Sequence, residues 1–230
     1  MEADIRWEVL EKFTREIDVN SIDFSECVVV GGSEQDPEIQ FLKSLGEPLK
    51  VSYLGVEDTG ESFQFFDLNV HSKIDKTWKF VLCSQVLEHV WHHDNFFLNL
   101  SKITQTRGYL WLNVPMSNFV HGSPEYYSAG FAPEYLIKNL EAKNFEVISS
   151  GLVGSKRYYV ATHLLGTWLT EHTHRNPIFQ YHFQSGSRLG VLRKFLVEWF
   201  NRIPLIFFSK VVTSDPRYAT ESFVLARKKT

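Results

Sequence analysis

The stretch VLCSQVLEHV, residues 81–90, decides which fold this sequence predicts. It begins with a short apolar run, Val81 to Cys83, of the kind found in parallel strands that are covered on both faces. Polar side chains follow immediately, at Ser84, Gln85, Glu88 and His89. In an open α/β sheet, the residues just past the carboxyl end of a strand line the ligand crevice. We therefore expect a functional site at this point of the chain.

Segments typical of strands and of helices alternate on both sides of this stretch. The predicted strands are residues 27–31, 51–56, 63–66, 78–83, 108–114, 145–149 and 221–228. Helical patterns lie between several of them, for example from Pro37 to Gly46 and from Pro133 to Lys143. Such alternation predicts an α/β fold with a mostly parallel sheet that is flanked by helices.

The first predicted strand ends in a glycine pair, Gly31 and Gly32, which is followed by polar residues from Ser33 to Asp36. Pro37 suits the first turn of a helix that Asp36 would cap. A glycine turn lets the backbone approach a ligand closely, and the amino end of a helix favours negative groups. Gly31, Gly32 and Ser33 are therefore candidate binding residues, although a plain connection between strand and helix would have the same pattern.

The second predicted strand ends at two acids, Glu57 and Asp58. A carboxylate at this position can accept hydrogen bonds from both hydroxyls of a ribose, as it does in dinucleotide-binding folds. An ordinary solvated acidic turn is the alternative interpretation.

The order of the strand-end motifs resembles that of a known family. The motifs VVVGGSEQD, YLGVED, FQFFDLN, FVLCSQVLEHV and GYLWLNVP are similar to those of the class I, Rossmann-like methyltransferases that use S-adenosylmethionine. The similarity is greatest to the bacterial type 11/23 branch, whose fourth strand ends in "VLEH". It covers residues 27–151 and resumes at 221–228. It implies a seven-stranded sheet of order 3-2-1-4-5-7-6, whose last strand is antiparallel and lies between the fifth and sixth strands.

This resemblance also implies a cofactor site. Asp67 would meet the adenine amino group, the backbone of Leu68 a ring nitrogen, and Glu57 or Asp58 the ribose. The complete set of implied cofactor contacts is Gly31, Gly32, Ser33, Glu57, Asp58, Asp67, Leu68, Ser84 and Gln85. The sequence departs from the family pattern at Val29 and Ser33, at Lys79, and at residues 128–130, which replace an expected basic segment.

The expected reaction is methylation, most simply of a hydroxyl, on a small-molecule or saccharide acceptor in polysaccharide biosynthesis. A hydroxyl acceptor benefits from a positioned base. His121 and His89 are the candidates because each follows a predicted strand end and histidine titrates near neutrality, although both could be structural. Two alternatives stay open: a non-catalytic methyltransferase-like binding protein, favoured by the eroded glycine motif, and a nicotinamide-dependent oxidoreductase.

Composition limits the other function classes. The chain has 230 residues and a formal net charge of −3, which gives no electrostatic argument for nucleic acid. Cys27 and Cys83, the two cysteines, lie in apolar runs and indicate reduced thiols in a cytoplasmic protein. No stretch supplies the roughly 18 apolar residues of a membrane span. His89, His92 and His93 suggest a metal site, with His172 and His174 as the only obvious additional ligands. No metal is expected, because a zinc site needs three or four converging ligands and the apolar residues from Trp91 to Leu100 indicate a helix packed on the sheet.

We predict a single domain over residues 1–230 with two additions. Residues 1–20 alternate acids and bases and predict an amino-terminal helix. Residues 152–216 are rich in aromatic side chains, and apolar residues recur there at helical spacing. This pattern predicts a helical insertion before the last strand, folded as a cap over the core. Homodimer formation and contact with a membrane surface are the alternative roles for the insertion.

Overall fold

The computed structural model describes residues 5–16, 22–32, 36–44, 50–56, 62–118, 124–160 and 207–230. The elements within these ranges are, in chain order, α1 (Arg6–Glu16), β1 (Glu26–Val30), α2 (Pro37–Ser44), β2 (Lys50–Gly55), β3 (Phe63–Phe65), β4 (Trp78–Ser84), a 3-10 turn (Leu87–His89), α3 (His93–Ile103), β5 (Thr104–Pro115), α4 (Pro133–Ala142), β6 (Phe145–Ser155), α5 (Lys156–Tyr159), β7 (Val212–Thr213) and β8 (Ala219–Lys228).

The strands form one sheet of order β3-β2-β1-β4-β5-β8-β6-β7. The first five strands are parallel to one another. Strand β8 runs antiparallel between β5 and β6, and β7 runs antiparallel to β6. The predicted Rossmann-like α/β fold with a mostly parallel sheet is therefore confirmed, including the reversed closing strand.

The predicted number of strands was wrong by one, because the described chain has eight and not seven. The additional strand is β7, whose Val212 and Thr213 pair with Ser155 and Gly154 of β6. Two residues are too few to show an alternating pattern, so this strand depends on the edge that β6 offers rather than on its own sequence. The order of the other strands is the predicted one, with the closing strand now numbered β8.

Strand β6 is longer than its sequence pattern indicated, since it continues from Phe145 through Ser155. Its added residues pair with β8 as far as Gly154, which lies opposite Ala219. The first four residues of the segment predicted as a helical insertion therefore belong to the sheet, and Lys156–Tyr159 form the short helix α5. Residues 161–206, which contain most of that predicted insertion, lie outside the described part of the chain.

Both faces of the sheet are covered by apolar packing. One face lies against α3 and α4, where Phe96, Phe97 and Leu136 are fully buried. The other lies against α1 and α2, where the Phe13 and Trp111 ring centroids are 4.5 Å apart. Because both faces of the sheet are covered, β1 and β4 consist mainly of apolar residues. The polar residues that follow these strands lie at the carboxyl edge of the sheet. No helix in the described ranges is both long enough and apolar enough to cross a membrane.

Candidate functional site

The turn after β1 requires glycine. Gly31 has φ of +73°, and a Cβ atom there would lie 2.5 Å from Val86 Cγ2. The Gly31 amide donates a hydrogen bond of 2.8 Å to the Leu54 carbonyl of the neighbouring strand β2. A side chain would therefore be strained and would collide with the residue that follows β4. Glycine therefore allows the turn to pack closely against Val86 at the centre of the carboxyl edge.

Gly32 continues this turn toward helix α2. A Cβ atom on Gly32 would lie 2.7 Å from Val29 Cγ1 and 3.3 Å from Asp36 Oδ2. The Asp36 carbonyl accepts the first helical hydrogen bonds, from the amides of Ile39 and Gln40, at 3.1 Å each. Val29 is buried beneath the turn, so this residue, which replaces the family's acid, contributes packing. Ser33 lies outside the described residues.

A buried carboxylate links α2 to the end of β4. Glu38, in the first turn of α2, is buried and accepts a hydrogen bond from Ser84 Oγ. Arg6 Nη1 of α1 lies 3.3 Å from Glu38 Oε2, and Asn113 Nδ2 lies 3.4 Å from Ser84 Oγ. Burial raises the pKa of Glu38, and the positive charge of Arg6 opposes that increase. The Ser84 hydroxyl, predicted as a cofactor contact, therefore has hydrogen-bond partners within the protein and links the end of β4 to α2.

Gln85 has an unusual backbone for a residue with a side chain, because its φ is +56°. Its backbone amide donates a hydrogen bond of 2.9 Å to the Asn113 carbonyl, and its side-chain Nε2 donates one of 2.7 Å to Glu221 Oε2 on β8. Left-handed backbone costs about 1–2 kcal/mol for such a residue and is concentrated at functional sites. The side chain of Gln85, which was predicted to contact the cofactor, therefore extends across β5 to the closing strand β8. Glu221 was not predicted, although an acid in the otherwise apolar run ESFVLA is a signal.

The turn after β3 is shaped by its own side chains. Asp67 Oδ1 accepts hydrogen bonds from the Asn69 amide at 2.8 Å and from Asn69 Nδ2 at 3.2 Å. Asn69 Oδ1 in turn accepts from the amides of Trp91 at 3.0 Å and His92 at 3.2 Å. The turn that holds the predicted contacts Asp67 and Leu68 is therefore fastened to the segment that follows β4.

Two asparagines of α3, neither of which was predicted from the sequence, complete this attachment. Asn99 is fully buried; its Oδ1 accepts from the Ser72 amide at 2.9 Å, and its Nδ2 donates to the Val70 carbonyl at 2.7 Å. Asn95 Nδ2 donates to the Asn69 carbonyl at 2.6 Å. Their spacing of four residues on a helix that is otherwise apolar on its buried face is the signal that could have indicated this role.

Glu88 is the most unusual group at this edge. The side chain is fully buried, and neither carboxyl oxygen has a hydrogen-bond partner within the described ranges. Burial raises the pKa of Glu88 to about 8, and the charge of Arg6 opposes the increase. Burial, and then the charge of Glu88, raise the pKa of Tyr126 to about 12. Glu88 is therefore a largely neutral carboxylic acid at pH 7, a state that was not predicted from the sequence.

His89, one of the two predicted bases, lies between protein groups. Its Nδ1 contacts the Glu125 carbonyl, and its Nε2 lies 3.9 Å from Glu88 Oε1. The carbonyl can only accept, so the Nδ1 atom carries a proton and Nε2 faces the Glu88 carboxyl. The other predicted base, His121, lies outside the described residues, as do Glu57 and Asp58.

The structure thus brings several predicted residues to one edge of the sheet. They follow β1, β3 and β4 and are Gly31, Gly32, Asp67, Leu68, Ser84, Gln85 and His89. Lys79 lies near the opposite, amino end of β4 and pairs with Asp23 at 2.6 Å, so this departure from the family pattern does not reach the crevice. Within the described ranges, no three histidine, cysteine or acidic residues form a group that could hold a metal ion.

Comparisons with solved structures agree with this fold. The [4+2]-cyclase SpnF has a TM-score of 0.56 at 12% identity, with 100% of this chain and 85% of that one covered. Coclaurine N-methyltransferase bound to N-methylheliamine and SAH has a TM-score of 0.56 at 11% identity, with 95% and 70% covered. An S-adenosylmethionine-dependent methyltransferase from Mesorhizobium loti has a TM-score of 0.53 at 11% identity, with 99% of each chain covered. No family model and no curated protein matches the sequence.

These similarities establish the class I methyltransferase fold. They do not establish the reaction, because a cyclase and methyltransferases of different kinds occur among structures of comparable similarity. The reaction depends on the residues at the carboxyl edge, since one fold can host many chemistries.

Proposed function

We propose that this chain is an S-adenosylmethionine-dependent methyltransferase that methylates a hydroxyl of a small-molecule or saccharide acceptor. The observation that carries this proposal is the left-handed glycine turn at Gly31, at the end of the central strand β1. The candidate contacts after β3 and β4 lie at the same edge, in the order that the family resemblance implies. As the sequence analysis anticipated, we place the reaction in the cytoplasm and in polysaccharide biosynthesis.

The described residues fit this cofactor at two places. The glycine turn at Gly31 and Gly32, followed by the amino end of α2, suits the carboxylate of the methionine part. The turn at Asp67 and Leu68 offers a carboxylate and a backbone amide for the adenine, and Asn69 and Asn99 hold that turn rigidly. Glu57 or Asp58 would bind the ribose hydroxyls. When bound, S-adenosylmethionine supplies a methyl group on a positively charged sulfur, which leaves as a neutral thioether.

The acceptor hydroxyl must lose a proton as its oxygen bonds to the methyl carbon and the carbon–sulfur bond breaks. Alignment of the acceptor oxygen with the methyl group can itself lower the barrier by several kcal/mol. We propose His121 or His89 as the base. If His89 serves, its Nε2 atom, which lies 3.9 Å from Glu88 Oε1, accepts the proton that the hydroxyl loses.

Calorimetry with the full chain tests the cofactor. We expect S-adenosylhomocysteine and S-adenosylmethionine to bind with one-to-one stoichiometry, and Glu57→Ala to weaken both at least tenfold through loss of the ribose contacts. The matched control is Glu125→Ala, which removes an exposed acid of a different loop. Absence of binding at millimolar concentration, or tighter binding of NADH, would refute the proposal.

Turnover separates the enzyme from a non-catalytic binding protein. Purified chain with labelled S-adenosylmethionine and a panel of saccharides should transfer label to a hydroxyl. Cofactor binding without transfer to any acceptor, combined with retention of the ligand through purification, would favour the binding protein. The substitution of Val29 for the family's acid is the observation that favours this second candidate.

A further inference from the structure

The segment before β8 exposes large apolar side chains at the edge of the sheet. We call residues 207–213, FFSKVVT, the edge loop. Phe207 is 81% exposed and Val211 is 74% exposed, and Phe208 and Val212 are each exposed to more than a third. A loop that exposes four such side chains within six residues is a candidate interaction surface.

The edge loop is held to the body of the domain at several points. The backbone amide of Arg157 in α5 donates a hydrogen bond of 3.0 Å to the Ser209 carbonyl. Ser209 Oγ accepts a hydrogen bond of 3.1 Å from the Val211 amide. Val212 pairs with Ser155 of β6. Just beyond the loop, Lys12 Nζ of α1 donates a hydrogen bond of 3.1 Å to Ser214 Oγ. The apolar side chains are therefore presented outward from a backbone that is fixed on the protein.

The charges around the edge loop have the opposite sign to the chain as a whole. The described residues 155–160 and 207–218 contain the basic residues Lys156, Arg157, Lys210 and Arg217 and one acid, Asp215. Asp215 is paired with Arg217 at 2.6 Å. This part of the surface therefore has a net charge of +3, whereas the whole chain has −3. The excess of positive charge is therefore local to this part of the surface and is not seen in the composition of the whole chain.

Exposed aromatic and β-branched side chains among basic residues are typical of a surface that docks on an anionic membrane. The apolar side chains enter the boundary between headgroups and acyl chains, and each nearby lysine or arginine adds attraction to anionic lipid. A second copy of this chain is a poorer occupant, because two such surfaces would bring charges of the same sign together.

We propose that the edge loop is a docking site for an anionic lipid bilayer. Phe207, Phe208, Val211 and Val212 insert at the interface, and the basic residues of α5 and of the loop contact the lipid phosphates. The inference does not depend on methyl transfer. It places the lateral edge of the sheet, where β7 pairs with the end of β6, next to a membrane surface.

Vesicle co-sedimentation of the full chain tests this inference. With vesicles of phosphatidylcholine and phosphatidylglycerol at a ratio of about 7:3, we expect partitioning at least about tenfold stronger than with phosphatidylcholine alone, and weakening as salt rises. The double variant Phe207→Ser, Val211→Ser should reduce the partition coefficient at least about tenfold. Lys210→Glu should reduce it only on anionic vesicles. Phe65→Ser is the matched control, because Phe65 is 65% exposed on β3, at the opposite edge of the sheet.

Circular dichroism and urea unfolding verify that each variant is folded. Equal partitioning of wild type and the double variant would overturn the proposal, as would equal binding to both kinds of vesicle. Light scattering that shows a dimer of the wild type and a monomer of the double variant would also overturn it, because a second copy would then cover the loop.

Discussion

Replacing Glu88 by glutamine tests the unusual ionisation of the candidate site. The carboxyl is fully buried and has no hydrogen-bond partner within the described residues, and burial raises its pKa from 4.5 to about 8. Glutamine has nearly the same shape and carries no charge at any pH. The substitution therefore removes the cost of ionising this group and little else.

The sign of the effect follows from linkage between protonation and folding. Below pH 4.5 the carboxyl is protonated in both the folded and the unfolded chain, so the wild type and the variant have similar pH dependence. Between pH 4.5 and about 8 only the unfolded chain ionises, so the wild type loses stability as pH rises. Above about pH 8 both states ionise and the loss is complete.

The magnitude follows from the same two pKa values. Each unit of pKa difference is worth about 1.4 kcal/mol, so a rise from 4.5 to about 8 corresponds to at most about 5 kcal/mol. Relaxation and water entry on ionisation reduce this limit, and we expect Glu88→Gln to gain about 2–4 kcal/mol relative to wild type between pH 5 and pH 9.

Urea unfolding at pH 5, 6, 7, 8 and 9 measures the effect as the difference in free energy of unfolding between variant and wild type. Glu125→Gln is the matched control, because it makes the same replacement at an exposed side chain. A Glu88→Gln difference that is constant from pH 5 to pH 8, or that decreases, would refute the reasoning. It would show that Glu88 is ionised and paired in the folded protein.

Three further predictions concern the same edge and its supports. Gly31→Ala should lower the free energy of unfolding by more than the roughly 1–2 kcal/mol of left-handed strain, because the new methyl group also collides with Val86. Most of the loss beyond the strain should disappear when Gly31→Ala is made in a Val86→Ala background. A Gly31→Ala variant as stable as wild type would contradict this. Asn99→Ala should cost about 2–4 kcal/mol in urea unfolding and weaken S-adenosylhomocysteine binding, and a loss of stability without weaker binding would disconnect Asn99 from the site. Asp23→Asn should cost less than about 1 kcal/mol at pH 7, despite the depressed pKa of Asp23 beside Lys79, because the pair is exposed and screened; a larger loss in urea unfolding would contradict this.

The sequence predicted the fold well because the fold depends on patterns that are local. The apolar runs at β1 and β4, the glycine pair after β1 and Pro37 at the start of α2 each specify their own conformation. The reversed closing strand was predicted from family resemblance, and its pairing with β5 and β6 confirms it. The short strand β7 and the long end of β6 were missed because both exist only through pairing with a neighbour.

The candidate site was predicted only in part, for a different physical reason. Residue type and position after a strand placed Gly31 at the carboxyl edge of the sheet, and the family resemblance placed Asp67 there. They could not show that Ser84 is hydrogen-bonded to Glu38, since 46 positions separate the two. Nor could they show that Gln85 reaches across β5 to Glu221, 136 positions away.

By itself, then, the sequence determined the order of strands and helices and the edge at which polar groups gather, because hydrophobic periodicity and glycine geometry act over a few neighbouring residues. Only the tertiary structure decided the state of those groups. Glu88 looks like any other acid in the sequence, and it becomes a largely neutral acid because the fold buries it and no hydrogen-bond partner for its oxygens lies in the described part of the chain. Burial and pairing depend on contacts between distant segments, and these exist only once the chain has folded.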